Sequence, residues 1–196
     1  RQMCIRDRGK VMEWIIGLII LIVILAILFS MYNSLVRLRN AAGQFFSQID
    51  VELERRNDLV PNLVNTVKGY ASHEKEVLEE VTKARQHLIN LPQGATNKEK
   101  LAASDDLSNA LSRLLAVSES YPDLKANQNF LSLQEELTNT ENRISGSRQA
   151  YNRSVMNYNN KIQSVPHNII AGLFNFTEMT YLEIPDSKRE VPNVSF

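Results

Sequence analysis

The pair His73-Glu74 is the strongest candidate for chemistry in this chain, because the two residues could open a zinc-protease motif. In that motif, H-E-x-x-H, two histidines four residues apart on a helix bind zinc while the glutamate acts as a general base. Here the residue four after His73 is Val77, so the metal pair is incomplete. We therefore predict no metal site at this pair.

The other arrangements that would indicate an enzyme are also missing from the sequence. A di-iron bundle requires Glu-x-x-His on two helices, but the residues three before the histidines are Tyr70, Ala84 and Ser164. There is no glycine-rich phosphate loop and no G-x-S-x-G nucleophile turn. The single cysteine is Cys4, near the start of the chain. We predict no catalytic residues and no cofactor.

Five charged residues fall on or beside apolar helical stripes or at the end of a predicted helix: Arg55, Arg56, Glu74, Glu141 and Arg148. One interpretation is that they reach solvent at the boundary of the core. A second is that they form interhelical ion pairs that fix register, since a buried charge is tolerated only when it is paired. A third is a ligand or partner site. Glu74 shares a heptad line with apolar residues, and the second interpretation predicts Arg148 or an arginine of the first turn-over as its partner.

Four amphipathic helices must position these charges. Apolar residues at steps of three and four predict a first helix from residue 33 to about Arg56. Asn57 or Asp58 is expected to cap the second helix, with Pro61 in its first turn, where no intrahelical donor is lost. The second helix is predicted to end at the Leu91-Pro92-Gln93-Gly94 stretch.

The third and fourth helices have clearer boundaries in the sequence. Thr96 or Asn97 is predicted to start the third helix, with Glu99 near the position of a capping box. The fourth is predicted to run from about residue 124 to 163. Its heptad seam contains Phe130, Leu137, Ile144, Tyr151 and Tyr158. We therefore predict an all-α protein with an antiparallel four-helix bundle over residues 33–165, followed by a tail, 166–196, that packs back on the bundle through residues 168–176.

A long apolar run precedes the bundle. The sixteen residues from Trp14 to Phe29 carry no charge, and continued to Tyr32 they form about 28 Å of helix, close to the hydrocarbon thickness of a bilayer. No small-x-small cleavage site follows, which argues against a signal peptide. We predict a transmembrane anchor over residues 12–32. Its marker residues are Trp14, Ile15, Ile16, Gly17, Leu18, Phe29 and Tyr32.

Two further features of the sequence are its first eleven residues and its net charge. Residues 1–11 lack periodicity and Met12 would be an ordinary start, so we interpret 1–11 as a non-native leader; the alternative is a native basic segment. Lys plus Arg equals Asp plus Glu, 22 each, which predicts no net electrostatic attraction to nucleic acid or to acidic lipid.

Long stretches of the sequence resemble the LemA family. They include residues 32–40, 48–74 with the run Asp58-Leu59-Val60-Pro61-Asn62, 121–126, 140–144 with Glu141, and the closing 189–196. The resemblance covers the chain from Met12 to its end. A departure is Ser164-Val165-Pro166, where the family more often has an aromatic residue before the proline.

The resemblance implies a bacterial single-span membrane protein with an antiparallel helical bundle and a very short N-terminal tail. It also implies a loose association with the cell envelope and a membrane metalloprotease, and it supplies no catalytic residues. Combined with the residues, it predicts a membrane-anchored, self-associating scaffold or adaptor of the cell envelope, with lipid and envelope proteins as partners. The alternative is a metal-dependent or hydrolytic membrane enzyme, suggested by His73-Glu74.

Membrane orientation follows from the charges beside the span. If the chain starts at Met12, Arg37 and Arg39 are the nearest basic side chains, and no acid follows the span until Asp50. Basic residues beside a span stay in the cytoplasm. We therefore predict a single-pass protein of the bacterial cytoplasmic membrane with its bundle inside the cell. A native basic leader would reverse this orientation.

Overall fold

The computed structural model describes residues 3–184, with side chains from Val11 onward, and this part of the chain is all-helical and contains no strand. The predicted all-α class is confirmed. The first two residues of the proposed leader and residues 185–196 of the predicted tail lie outside the described residues. The helices are α1 (Met3–Tyr70), α2 (Lys75–Ile89), α3 (Asn97–Ser118), α4 (Pro122–Lys125), α5 (Gln128–Gln163) and α6 (His167–Leu173).

Helix α1 continues through the position where a break was predicted. The expected cap at Asn57 or Asp58 is wrong, and Pro61 lies inside the helix. A proline in a helix cannot donate to the carbonyl four residues earlier, which here belongs to Asn57. The side chain of Arg85 on α2 fills this gap, because its Nε donates to the Asn57 carbonyl at 2.9 Å. The chain leaves the helix only after Tyr70.

Helix α3 begins as the sequence predicts. The hydroxyl of Thr96 accepts from the backbone N–H of Glu99 at 3.2 Å, and the Glu99 carboxylate accepts from the backbone N–H of Thr96 at 2.7 Å. This reciprocal capping box satisfies two backbone donors that the first helical turn leaves without partners. The box therefore fixes where the third helix starts.

The described chain divides into two compact units. The bundle unit consists of residues 45–151 and the segment from Leu182. Within it, α2 packs beside α3, and side chains of α5 contact α1 and α3 in antiparallel order, as the pair Arg55–Glu136 and the ring contact Phe46–Tyr151 illustrate. Its core is mainly aliphatic, with Leu63, Leu107 and Leu114 fully buried.

The anchor unit consists of the residues up to Gln44 together with 152–181. Here α6 and the segment after it pack against α1 and the end of α5. The apolar residues buried in this cluster are Met31, Leu35, Tyr158, Ile162, Ile170, Ala171 and Phe176. The Tyr32 ring makes edge contacts with Phe174 and Phe176, at centroid distances of 4.9 and 5.6 Å.

The apolar run of α1, residues 14–29, is not packed against the rest of the described structure. Trp14 is 81% exposed, and the large apolar side chains from Val11 to Phe29 are exposed as well. Of the described helices, α1 is the one long and apolar enough to cross a membrane. Burying this much apolar surface is favourable, so α1 carries a candidate transmembrane segment.

Candidate functional site

Arg56 occupies a core position of α1. The residues that precede and follow it by seven, Ile49 and Leu63, are fully buried, and the spacing of three and four that places apolar side chains on one helix face continues through it. Its own side chain is only 1% exposed. The helix therefore directs a cation into the centre of the bundle unit.

The Arg56 guanidinium is held by α3 and α5. One terminal nitrogen donates to the Glu141 carboxylate at 2.8 Å and to the Ser108 hydroxyl at 2.5 Å. The other donates to the hydroxyl and the backbone carbonyl of Ser104, at 2.6 and 2.9 Å. Ser104 is fully buried. Its small side chain leaves the space that the guanidinium occupies.

Two opposing effects act on the pKa of Arg56, namely its burial and the nearby carboxylate of Glu141. Removal from water lowers the pKa of Arg56, and the attraction and hydrogen bond of Glu141 act in the opposite direction. Arginine keeps its charge in proteins, so the site contains a buried ion pair. The Nε of Arg56 is buried and has no hydrogen-bond partner. A buried donor without a partner costs free energy, which offsets part of the stabilisation by the ion pair.

A second charge pair joins α3 and α5 nearby. Arg148 lies two helical turns after Glu141, and its guanidinium donates to both carboxylate oxygens of Asp105, at 2.5 and 3.3 Å. Its side chain is 5% exposed, whereas that of Asp105 is 34% exposed. Such a bidentate pair has a defined geometry. The two pairs connect α5 to both of its neighbours, Glu141 to Arg56 of α1 and Arg148 to Asp105 of α3.

A cavity of about 340 Å³ opens beside the Arg56 pair, between α3 and α5. Arg56, Asp105, Ser108 and Glu141 line it together with leucine, serine, threonine and asparagine side chains. The volume is in the range of small-molecule sites. Among residues 11–184, no group of three or more His, Cys, Asp or Glu side chains could hold a metal ion. The cavity therefore has a mixed lining, with charged and hydroxyl groups on one part and leucine side chains on another.

The remaining predicted residues are placed differently. Arg55 contacts Glu136 at 2.5 Å, but both side chains are over 40% exposed. Glu74 lies in the turn between α1 and α2, and its carboxylate accepts from the Tyr121 hydroxyl at 2.9 Å instead of from an arginine. That hydrogen bond raises the pKa of Tyr121. The heptad line drawn through Glu74 fails because residues 71–74 interrupt the helix.

Sequence reasoning missed the α3 partners Ser104, Asp105 and Ser108. The available signal was the spacing on α1, because Leu53, Arg56 and Val60 continue the steps of three and four. A cation at such a position requires acceptors from facing helices. The serines of α3 would then have been the first candidates for acceptors of the Arg56 guanidinium.

These features define a helical-bundle protein with a candidate transmembrane helix and an internal layer of paired charges. Over residues 45–196 the sequence matches the model of the LemA family. The chain belongs to the LemA family.

The chain is similar to proteins named MamQ and to a protein named LemA. Magnetosome protein MamQ of Magnetospirillum gryphiswaldense is 24% identical over 189 residues, which cover 85% of this chain and 70% of that protein. Protein LemA of Metamycoplasma hominis is 26% identical over 158 residues, which cover 80% of this chain and 71% of that protein. Neither name is that of an enzyme.

Proposed function

We propose that this protein is a scaffold or adaptor anchored in the bacterial cytoplasmic membrane, with its bundle unit in the cytoplasm. The observation that carries the proposal is the continuity of α1, whose exposed apolar start and bundle-forming end belong to one helix from Met3 to Tyr70. One chain therefore carries both an apolar segment suited to a bilayer and a helical domain suited to contacts with other proteins. This combination supports a role as a platform on which other proteins assemble.

Two observations support a role without catalysis. The charged groups in the bundle unit bind one another, as in Arg56–Glu141 and Arg148–Asp105, instead of forming a nucleophile and base. His73, the residue that suggested a metal enzyme, is exposed. Elemental analysis of the purified protein tests this point, and a stoichiometric bound metal would favour the alternative enzyme.

Orientation is tested with fusions at the C-terminus, with translation starting at Met12. We expect a reporter enzyme that is active only outside the cytoplasm to be inactive there, and a reporter that fluoresces only in the cytoplasm to be bright. Replacing Arg37 and Arg39 by glutamine removes the basic flank and should shift the balance between the two signals. Activity of the first reporter in the unaltered protein would contradict the cytoplasmic placement.

Association is tested on the detergent-solubilised protein by light scattering. A scaffold that self-associates in the membrane plane should have a mass above that of one chain, and a strict monomer at high concentration would contradict self-association. Crosslinking in cells followed by mass spectrometry then identifies partners. We expect envelope proteins among them, and a membrane metalloprotease is the specific candidate.

A further inference from the structure

Four apolar side chains around α6 have no cover in the anchor unit. Val165, Ile169, Leu173 and Phe174 are each 58% to 79% exposed. The opposite side of α6 is packed, because Ile170 and Ala171 are buried. We call the four exposed residues the α6 patch. A contiguous exposed apolar patch of this kind is typical of a surface that contacts a membrane or another protein.

The position of the α6 patch along α1 is fixed by an aromatic contact. The ring of Phe174 meets that of Tyr32 at 4.9 Å. Tyr32 follows Phe29, the last residue of the apolar run, by three residues, which is about 4.5 Å of helix. The patch therefore lies at the end of the candidate span, at the level where tyrosine rings meet lipid headgroups.

The charges of the surrounding chain fit a lipid surface. In the anchor unit from Ser30 onward, the basic residues are Arg37, Arg39, Arg153 and Lys161, and the one acidic residue is Glu178. Basic side chains next to a membrane are attracted to anionic headgroups. Of the media that could cover the patch, lipid is the one already required around α1 only a few ångströms away.

We infer that α6 is a second membrane contact, an interfacial helix whose exposed side chains enter the headgroup boundary of the bilayer that α1 crosses. Interfacial helices bury their apolar side by about 5–10 Å at the boundary between headgroups and acyl chains, and the Tyr32–Phe174 contact places α6 beside the end of the candidate span. The contact would fix the rotation of α1 about its axis, because α6 projects from one side of it. This inference rests on the proposed membrane span.

The test uses tryptophan fluorescence of the full chain in lipid vesicles. Trp14 is the single tryptophan, so Trp14→Phe provides a background in which one new tryptophan reports one position. Leu173→Trp reports the α6 patch, Phe29→Trp reports the span, and Val51→Trp, at a 63% exposed position of α1, reports water. All three positions are exposed, so the substitutions disturb no packed core.

Vesicles of phosphatidylcholine and phosphatidylglycerol are prepared with and without lipids brominated near the headgroup end of the acyl chain. We expect the emission of Leu173→Trp and Phe29→Trp to fall in brominated vesicles, and that of Val51→Trp to stay unchanged. Aqueous iodide should quench Val51→Trp strongly and Leu173→Trp weakly.

The outcomes separate the inference from the proposed function. If bromolipid quenches Phe29→Trp but not Leu173→Trp, the span stands and the interfacial helix is refuted. Iodide then identifies the actual environment: quenching means water, and protection means that a second copy of the chain covers the patch. If bromolipid fails to quench Phe29→Trp, the proposed membrane span itself is overturned.

Discussion

The bundle unit and the anchor unit satisfy their buried polar groups in different ways. In the bundle unit, charged side chains enter the interior and bind opposite charges, as Arg56 and Arg148 do. In the anchor unit, neutral side chains bind backbone. The Tyr158 hydroxyl donates to the Thr177 carbonyl at 2.9 Å, and the Asn159 amide both donates to and accepts from the backbone of Met179, each at 2.9 Å.

This difference in hydrogen-bond partners follows from the kinds of segment that pack together in each unit. The bundle unit is made almost entirely of helices, whose backbone groups mostly bind one another, so the carboxylates of the facing helices are the main partners of Arg56 and Arg148. In the anchor unit, the segment after Leu173 has no regular structure, and its backbone groups require partners. Asparagine supplies a donor and an acceptor at one position. Charged side chains therefore connect helices in the bundle unit, and the amide of Asn159 contacts the irregular segment in the anchor unit.

The largest predicted effect comes from breaking the buried ion pair. Glu141→Ala leaves the Arg56 cation without its carboxylate in a site that is 1% exposed. We expect a loss of about 3 kcal/mol in the free energy of unfolding, at the low end for broken buried pairs because Glu141 is partly exposed. Urea denaturation followed by circular dichroism measures it.

Two controls sharpen this prediction. Glu136→Ala removes the partner of Arg55 in an exposed pair, and should cost at most about 1 kcal/mol. The double substitution Arg56→Leu with Glu141→Leu removes both charges, and should cost less than Glu141→Ala alone. A loss as large for Glu136→Ala as for Glu141→Ala would contradict the distinction between buried and exposed pairs.

The second prediction breaks the neutral contacts of the anchor unit. Asn159→Ala removes both hydrogen bonds to Met179, and Asn159 is only 5% exposed. Two partly buried backbone groups of Met179 then lack partners, so we expect a loss of about 2 kcal/mol. Asn160→Ala is the matched control, because Asn160 is exposed. Equal stability of the two variants would mean that the irregular segment is held by its apolar contacts alone.

The third prediction concerns the proline inside α1. Arg85→Met removes the donor to the Asn57 carbonyl, with an expected cost of about 1 kcal/mol. In a Pro61→Ala background the helix supplies its own N–H to that carbonyl, so Arg85→Met should cost less there. The coupling in this double-mutant cycle is the measured quantity. A coupling of zero would show that Arg85 does not compensate for Pro61.

The same proline explains where sequence reasoning failed. A cap followed by proline is the ordinary sign of a helix start, and the rule predicted one near Asn57. It could not reveal that Arg85, 28 residues later, satisfies the carbonyl that the proline leaves. Local signals sufficed where the contacts are local, as in the Thr96–Glu99 capping box. The helix class and the heptad seam of α5 were predictable for the same reason.

The candidate site was only partly predictable. The sequence singled out Glu141 and Arg148 beside the heptad seam and Arg56 at the end of the first predicted helix. Their pairing depends on how helices are rotated and staggered, which a single sequence does not contain. Asp105, Ser104 and Ser108 were therefore missed, and Glu74 was assigned a partner on the wrong helix.

The smallest predicted effect is a difference between the two units in how strongly pH changes the stability that one hydrogen-bonded side chain provides. Hydrogen bonds from the backbone and then the hydroxyl of Thr96 lower the pKa of Glu99 in the bundle unit. The stabilisation by the Glu99 carboxylate is therefore complete above the pKa that Glu99 has in the unfolded chain, and it is lost as pH falls through its lower pKa in the folded chain.

Glu99→Gln keeps an acceptor that does not titrate. On acidification its melting temperature should fall slightly less than that of the unaltered protein, whereas Asn159→Ala should follow the unaltered curve in parallel. Thermal melts by circular dichroism across the acid range measure both, and parallel curves for Glu99→Gln would show that the capping box contributes nothing to acid sensitivity.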